Sequence, residues 1–292
     1  MRRIAIINQK GGVGKTTTAV NLGSALARAG QQTVLIDLDP QAHLTTHLGL
    51  EPNLHRPGTY ELLMQSLPIE RLAQPVRERL EVVSSHIDLA AAELELVSVV
   101  GREVILRDLL ARYCRPCDFI LMDCPPSLGV LTLNGLAAAN EVFIPLQPHF
   151  LALQGMGKLL ETVQLVAQRI NPTVVVSGIV LCMYESGTRL AEEVVEDLKS
   201  FLNAARCQQV PWRNAQIFRT RIRRNIKLAE CPSHGRSIFD YAPRSHGALD
   251  YAALAEEVLA MAQPPGDAGP GDSPPAMLAQ TELAEPSSRR SP

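Results

Sequence analysis

Aromatic residues are scarce in this 292-residue chain: one Trp, five Tyr and six Phe make up 4% of it. That argues against a protein built to stack the bases of single-stranded nucleic acid. No apolar run reaches the length that spans a bilayer; the longest, Val174 to Tyr184, is interrupted by Ser177 and Gly178. A secretory apolar region is also missing, because Arg2-Arg3 leads straight into a short strand-like stretch. Positive charge is not in excess, with 28 Lys and Arg against 30 Asp and Glu, a net charge of −2. A globally basic nucleic-acid binder is thereby excluded, and any such contact must come from a local patch. The six cysteines, Cys114, Cys117, Cys124, Cys182, Cys207 and Cys231, form no disulfide framework and suit a reducing compartment. Cys114-Arg-Pro-Cys117 is the one close pair. It lies between a helix ending near Tyr113 and a strand starting near Phe119, which is where a connector belongs; an iron–sulfur site bridging two subunits is the alternative. These absences predict a cytoplasmic protein with no membrane partner.

What the chain does have is concentrated near its start, in Lys10-Gly11-Gly12-Val13-Gly14-Lys15-Thr16-Thr17. The stretch follows an apolar strand-like run, Ile4 to Ile7, and opens a helix-like run from Lys15 to Gly30. Against the general phosphate-loop pattern G-x-x-x-x-G-K-[ST] it departs once, with Gln9 where the first glycine would stand. The tighter form K-G-G-x-G-K-T is complete. Glycines let backbone N–H groups curl around a phosphate, and the helix N-terminus adds its positive end. Lys15 is placed to reach the β- and γ-phosphates, and the Thr16 hydroxyl to hold Mg²⁺.

Helical and strand patterns alternate through most of the remaining chain. Thr33 to Asp39, Leu80 to Val83, Phe119 to Met122, Val142 to Leu146 and Val174 to Cys182 read as buried strands. Leu159, Leu160, Val163, Val166 and Ile170 mark one helix face, and Leu249, Ala252, Leu254, Ala255, Val258 and Leu259 mark a final helix over 248–261. Leu48 to Pro75, broken by four prolines, reads as short helices. Short apolar strands separated by helices predict an α/β fold, a mostly parallel sheet with helices on both faces. Ligands of such sheets bind beyond the carboxyl ends of the strands, where the phosphate loop falls. The predicted organisation is one domain over residues 1–262 and a disordered tail over 263–292, which holds seven prolines and three glycines.

Two further strand ends carry carboxylates. Asp37-Leu38-Asp39-Pro40-Gln41 closes the second strand, and Asp123-Cys124-Pro125-Pro126-Ser127 follows four apolar residues. One such carboxylate can orient a water in line with a γ-phosphate; the other can hold Mg²⁺ through water. Taken singly, an aspartate there is more often a cap or turn residue; the two together, downstream of the phosphate loop, point to function. A basic run lies further on: Arg213, Arg219, Arg221, Arg223, Arg224, Lys227 and Arg236 face a single acid, Glu230, within 213–236. No aromatic ladder accompanies it, so duplex phosphate contact is the reading to weigh against a solvated helix or hairpin face.

Lys10 is a second lysine that an ordinary phosphate loop does not need. With it, the run Lys10 to Thr17 resembles the deviant P-loop of the ParA/MinD family. D-L-D-P-Q, D-C-P-P-S, the T-L-N of Thr132 to Asn134 and R-N-I-K-L-A-E-C-P-S-H-G from Arg224 to Gly235 extend the resemblance to ParA proteins of the Soj type, from about Ile4 to about Leu259. The resemblance implies an ATP hydrolase in which two subunits sandwich two ATP molecules with Mg²⁺. The dimer would bind double-stranded DNA without sequence preference, on the nucleoid, and a ParB-like partner would stimulate hydrolysis and release it. By position, Lys10 is the lysine that crosses to the other subunit's nucleotide, and Gly11, Gly12, Val13, Gly14, Lys15, Thr16 and Thr17 hold phosphates. Asp39 is the hydrolytic aspartate; Thr16, Asp39 and Asp123 stand on the magnesium side. Met183 and Asn225 fall on the adenine side, and Arg189, Arg219, Arg221, Arg223, Arg224 and Lys227 in the DNA-contact region.

The chain departs from that pattern in places. Where I-P-R-N is usual it reads Ile222-Arg223-Arg224-Asn225, which loses the adenine-side proline and adds a charge. Gly187 stands where an arginine is common, with Arg189 two residues on, and Cys207 to Ala215 looks inserted. No helix-turn-helix segment precedes the loop, so operator binding is not expected. Two other readings share the fold: a MinD-like membrane-associated ATPase, for which the tail offers only the short acidic Ala276 to Glu285, and a small-molecule ligase, which gives no role to the basic run.

Overall fold

A computed structural model of the protein describes residues 1–52, 56–149 and 152–261. The proline-rich tail, including Ala276 to Glu285, lies outside the described residues. The strands are β1 (Arg2–Ile6), β2 (Thr33–Asp37), β3 (Gln74–Arg77), β4 (Leu80–Val83), β5 (Phe119–Asp123), β6 (Glu141–Leu146), β7 (Val175–Tyr184) and β8 (Gln216–Arg223). They form one sheet in the order β3-β4-β2-β5-β1-β6-β7-β8. All neighbours are parallel except β3 and β4. The first half contributes helices α1 (Lys15–Arg28), α2 (His43–His47), α3 (Thr59–Met64), α4 (Ile69–Leu72), α5 (Leu89–Glu95) and α6 (Ile105–Leu110). After β5 come α7 (Val130–Ala138), α8 (Ala152–Arg169), α9 (Arg189–Ala205), α10 (Ile226–Glu230), α11 (Ile238–Tyr241) and α12 (His246–Ala260).

The central strands β1, β2, β5 and β6 are buried along their whole length, because helices cover both faces. Alternation sorts their side chains. Ile4, Ile6, Leu35 and Leu121 join one core with Leu22 and Leu26 of α1 and Tyr251 and Leu254 of α12. Ala5, Ile7, Ile36 and Met122 join the other with Leu131 of α7, Leu159 of α8 and Leu198 of α9. β1 lies between β5 and β6, so the loop that leaves it emerges at the middle of the sheet.

Two strands were not legible in the apolar pattern. β3 contains Pro75, tolerated because the strand is an edge. β8 is the opposite edge, and it carries Arg219, Arg221 and Arg223 of the basic run on a strand of the sheet, not on a helix or hairpin. Phe218 and Ile222 turn inward while Arg219 and Arg221 face solvent, so the strand's apolar share is small. The Cys207 to Ala215 segment connects α9 to β8; its Trp212 is buried, and the Pro211 carbonyl accepts from Val176 N–H at 3.0 Å. The final helix starts earlier than its apolar stripe, at His246, because the Ser245 hydroxyl caps the N–H of Ala248 at 3.3 Å.

A buried ion pair ties the amino ends of β1 and β6 to the last turn of α12. The Arg2 guanidinium donates to both Glu141 oxygens, at 2.7 and 2.8 Å, and to the Val258 carbonyl at 2.6 Å. Both side chains are almost fully enclosed. Removing one partner strands the other charge, so Glu141→Ala should cost about 3–5 kcal/mol in urea unfolding. A loss below about 1 kcal/mol would show that α12 does not depend on this pair.

Candidate nucleotide site

The loop after β1 enters α1 through two left-handed glycines, Gly12 at φ 73° and Gly14 at φ 96°. No side chain caps α1, and a Cβ at Gly11 or Gly12 would meet nothing within 4 Å. The first-turn N–H groups therefore face open space, the geometry that receives an anion. The Lys15 ammonium folds back onto the Lys10 carbonyl at 3.2 Å. Burial lowers its pKa, and the charges of Asp123 and Asp39 oppose that shift.

Beside it, β2 and β5 run in register to Asp37 and Asp123. Asp37 is buried but satisfied: it accepts from Thr45 N–H at 2.9 Å, Thr45 Oγ1 at 2.7 Å and Asp39 N–H at 3.2 Å. Burial still pushes its pKa up to about 7. Its role is to pin the start of α2, which separates it from the chemistry that Asp39 could perform. Asp39 is 9% exposed and accepts from Gln41 N–H at 2.9 Å through one oxygen only. Asp123 is 1% exposed, and neither of its oxygens has a hydrogen-bond partner in ordinary geometry. Burial and the neighbouring Asp37 charge hold its pKa well above the carboxylate range, although Thr16 and Lys15 pull the other way. A buried carboxyl with both oxygens idle, next to a threonine hydroxyl, fits a hard cation held directly or through water.

Gly11, Gly12, Gly14, Lys15, Thr16, Thr17, Asp39, Met183 and Asn225 all line one cavity of about 840 Å³, whereas the buried Asp37 and Asp123 are not part of its lining. Val13 does not line it either: its side chain is buried, and only its backbone could serve. Lys10 also lies outside the cavity. Its side chain is exposed and meets the His149 ring beyond β6, in a separate pocket of about 260 Å³. The pattern did not single out Gln41, His43, Thr46 and His47, which form a wall on and before α2, nor Ile226 and Tyr251. Only D-L-D-P-Q pointed towards that wall. His47 is enclosed, its Nε2 has no partner, and burial lowers its pKa to about 4.

The basic run changes most on folding. Glu230 is its lone acid in sequence, yet the fold supplies others. Arg224 meets Glu185 at 2.6 Å, Arg219 meets Glu257 at 3.7 Å and Arg189 meets Glu193 at 3.0 Å. Lys227 pairs with Glu230 at 2.8 Å, and Arg221 lies 4.3 Å from the Tyr184 ring centroid with its Nη1 on the hydroxyl. The local excess of six positive charges is therefore partly cancelled in space. Arg223 departs furthest from the expected DNA face. It pairs with Asp250 of α12 and lines the cavity.

A phosphate loop at the centre of a parallel sheet, with carboxylates at the neighbouring strand ends, defines a P-loop nucleotide hydrolase. A family model described as "AAA domain" matches residues 1–176. The chain is 44% identical over 261 residues to the chromosome-partitioning ATPase Soj of Treponema pallidum, covering 89% of this chain and 97% of that one. It is 43% identical over 259 residues to the chromosome partitioning protein ParA of Myxococcus xanthus, covering 88% of each. Among solved structures it resembles a cobyrinic acid a,c-diamide synthase from Mycobacterium smegmatis with bound ATP analogue and magnesium. That match has a TM-score of 0.74 and 34% identity, over 89% of this chain and 94% of that one. The chain belongs to the ParA/Soj family of partitioning ATPases.

His47 gives the cavity wall a pH signature. Its folded pKa, about 4, lies below the ordinary value of 6.5, so the stability it confers is complete above pH 6.5 and is lost as pH falls towards 4. The full loss is on the order of 3 kcal/mol. His47→Gln should flatten the decline of the unfolding free energy over that interval. An unchanged slope would mean that His47 charges freely in the fold.

Proposed function

We propose that the chain is a magnesium-dependent ATP hydrolase whose ATP-bound homodimer holds double-stranded DNA regardless of sequence. A ParB-like partner then stimulates hydrolysis and releases it, so that a chromosome, plasmid or other cargo is positioned on the nucleoid in the cytoplasm. The observation that carries the reading is the idle, buried Asp123 carboxyl beside Lys15 at an open phosphate loop. Backbone N–H groups of residues 11–17 take the phosphate oxygens, and Lys15 leaves the Lys10 carbonyl for the β- and γ-phosphates. Thr16 and Asp123, with Asp39 nearby, would hold the magnesium ion, whose charge offsets that of the phosphates. Asp39, anchored through one oxygen, presents the other to the attacking water. Lys10 lies away from its own subunit's cavity, so a contact of its ammonium with nucleotide comes across a dimer interface. Arg223 and Arg224, which also line the cavity, are held by Asp250 and Glu185. Among the described residues no arginine lining the cavity is free of a carboxylate, so slow intrinsic turnover is expected, since such a group is worth ~10³ or more in rate.

The name of the Mycobacterium smegmatis protein suggests a second reading, a small-molecule amide synthase on the same fold. The exposed basic edge of β8 and the outward Lys10 favour partition. ATP-dependent retardation of duplex DNA supports the first reading; glutamine-dependent amide formation without DNA binding would replace it.

Lys15→Ala should abolish ATP binding in calorimetry, whereas Lys10→Ala should bind ATP but fail to dimerise with it. Asp39→Ala should bind, dimerise and stall, giving a persistent ATP dimer in sizing chromatography. Turnover at the wild-type rate would remove Asp39 from the mechanism. On DNA, if about four phosphates are neutralised, affinity should fall roughly a hundredfold between about 50 and 200 mM salt. Arg224→Glu should abolish that binding and leave the ATP dimer intact. Equal binding by this variant would place the DNA surface elsewhere.

A further inference from the structure

Arg223 sits at an unusual junction. It ends the edge strand β8, and its main-chain N–H donates to Asp250 Oδ2 at 3.0 Å. Its Nε lies 3.1 Å from each Asp250 oxygen, and its Nη2 lies 2.5 Å from Oδ1. Four contacts to one enclosed carboxylate fix both the position and the plane of the guanidinium. The Asp250 side chain is only 8% exposed, whereas that of Arg223 is 43% exposed and lines the 840 Å³ cavity. Its charge is largely answered from behind, so it is a poor phosphate ligand. A guanidinium so held is a flat, weakly hydrated π surface that does not swing. At the same part of the lining, Met183 adopts the left-handed φ of 50°, and the apolar Ile226 is 71% exposed. The phosphate loop adjoins this part of the lining, since a Cβ at Gly14 would meet Cys182, the neighbour of Met183, at 3.5 Å.

We propose that Arg223, oriented by Asp250, stacks on the base of the bound nucleotide and sets this chain's affinity for a purine ring. The inference rests on the nucleotide site proposed above. In this role Arg223 is a specificity-determining residue and Asp250 a positioning residue. A planar guanidinium over an aromatic ring gains both cation–π and stacking energy, most when little water separates them. Recognition through the ring face depends on ring area, so ATP and GTP bind comparably through this contact and CTP more weakly. The basic run then divides: Arg219, Arg221 and Lys227 remain outside the cavity, Arg224 lines it but is held outward by Glu185, and Arg223 belongs to the nucleotide.

The test compares ATP with inorganic tripolyphosphate, which fills the phosphate loop but has no base. In calorimetry, Arg223→Ala should raise the Kd for ATP about tenfold and leave the Kd for tripolyphosphate unchanged. The CTP affinity should change least among the nucleotides. Arg223→Lys keeps the charge but lacks the plane, and should weaken ATP binding nearly as much. At saturating ATP, DNA binding by Arg223→Ala should match the wild type. An unchanged ATP affinity, or an equal loss for ATP and tripolyphosphate, would overturn the proposal. Full rescue by Arg223→Lys would overturn it too, because charge alone would then suffice. Failure of the wild type to bind tripolyphosphate or ATP would instead bring down the phosphate-loop reading, and this one with it.

Discussion

The structure depends on electrostatic demand left unmet at one point of the sheet. β1, β2 and β5 are adjacent or nearly so and end together, delivering a bare helix N-terminus and two buried aspartates to the same few ångströms of interior. Burying one carboxylate is costly, and burying two side by side is costlier still unless one is neutral or a cation intervenes. The fold answers Asp37 with three hydrogen bonds and leaves Asp123 with none. That asymmetry separates a structural carboxylate from one available to a ligand. It also explains why Lys15 lies between an amide carbonyl and the carboxylate cluster, with its pKa lowered by burial and supported by Asp123. An anion bringing a divalent cation would satisfy the open N–H groups and the idle oxygens in one event.

Surface charge follows a different logic. β8 exposes alternate residues because it is an edge strand packed on one side only, and the residues it exposes are arginines. A bare edge of unpaired N–H and C=O groups invites association, and cationic side chains along it discourage strand pairing as well as offering contact to phosphates. The carboxylates facing this edge come from α12 and the loop after β7, so much of the charge is internally answered. A cation that must leave a carboxylate to meet a phosphate gains less than a free one. Under the proposed partition role, such an edge would give weak, salt-sensitive and reversible contact with DNA.

The sequence alone was enough for the phosphate-loop pattern, the α/β class and the placement of aspartates at the strand ends. Each of these is local: glycines that tolerate positive φ, a lysine and threonine at a helix start, apolar runs bounded by aspartate. The resemblance over most of the chain rests on the same local words, and the family comparisons agree with it. Strands β3 and β8 escaped because edge strands bury only one face and β3 carries a proline, so their apolar signal is thin. Tertiary structure alone decided which partner each charge meets. Sequence spacing could not tell Asp37 from Asp39, since only the return of Thr45 to the end of β2 satisfies the first and spares the second. Nor could it separate Arg223 from Arg224, adjacent in the chain, of which one faces Asp250 twenty-seven residues away and the other Glu185. Motifs are written in neighbouring residues and so survive in the sequence. Electrostatic pairing is settled across the fold, where distance through space no longer follows distance along the chain.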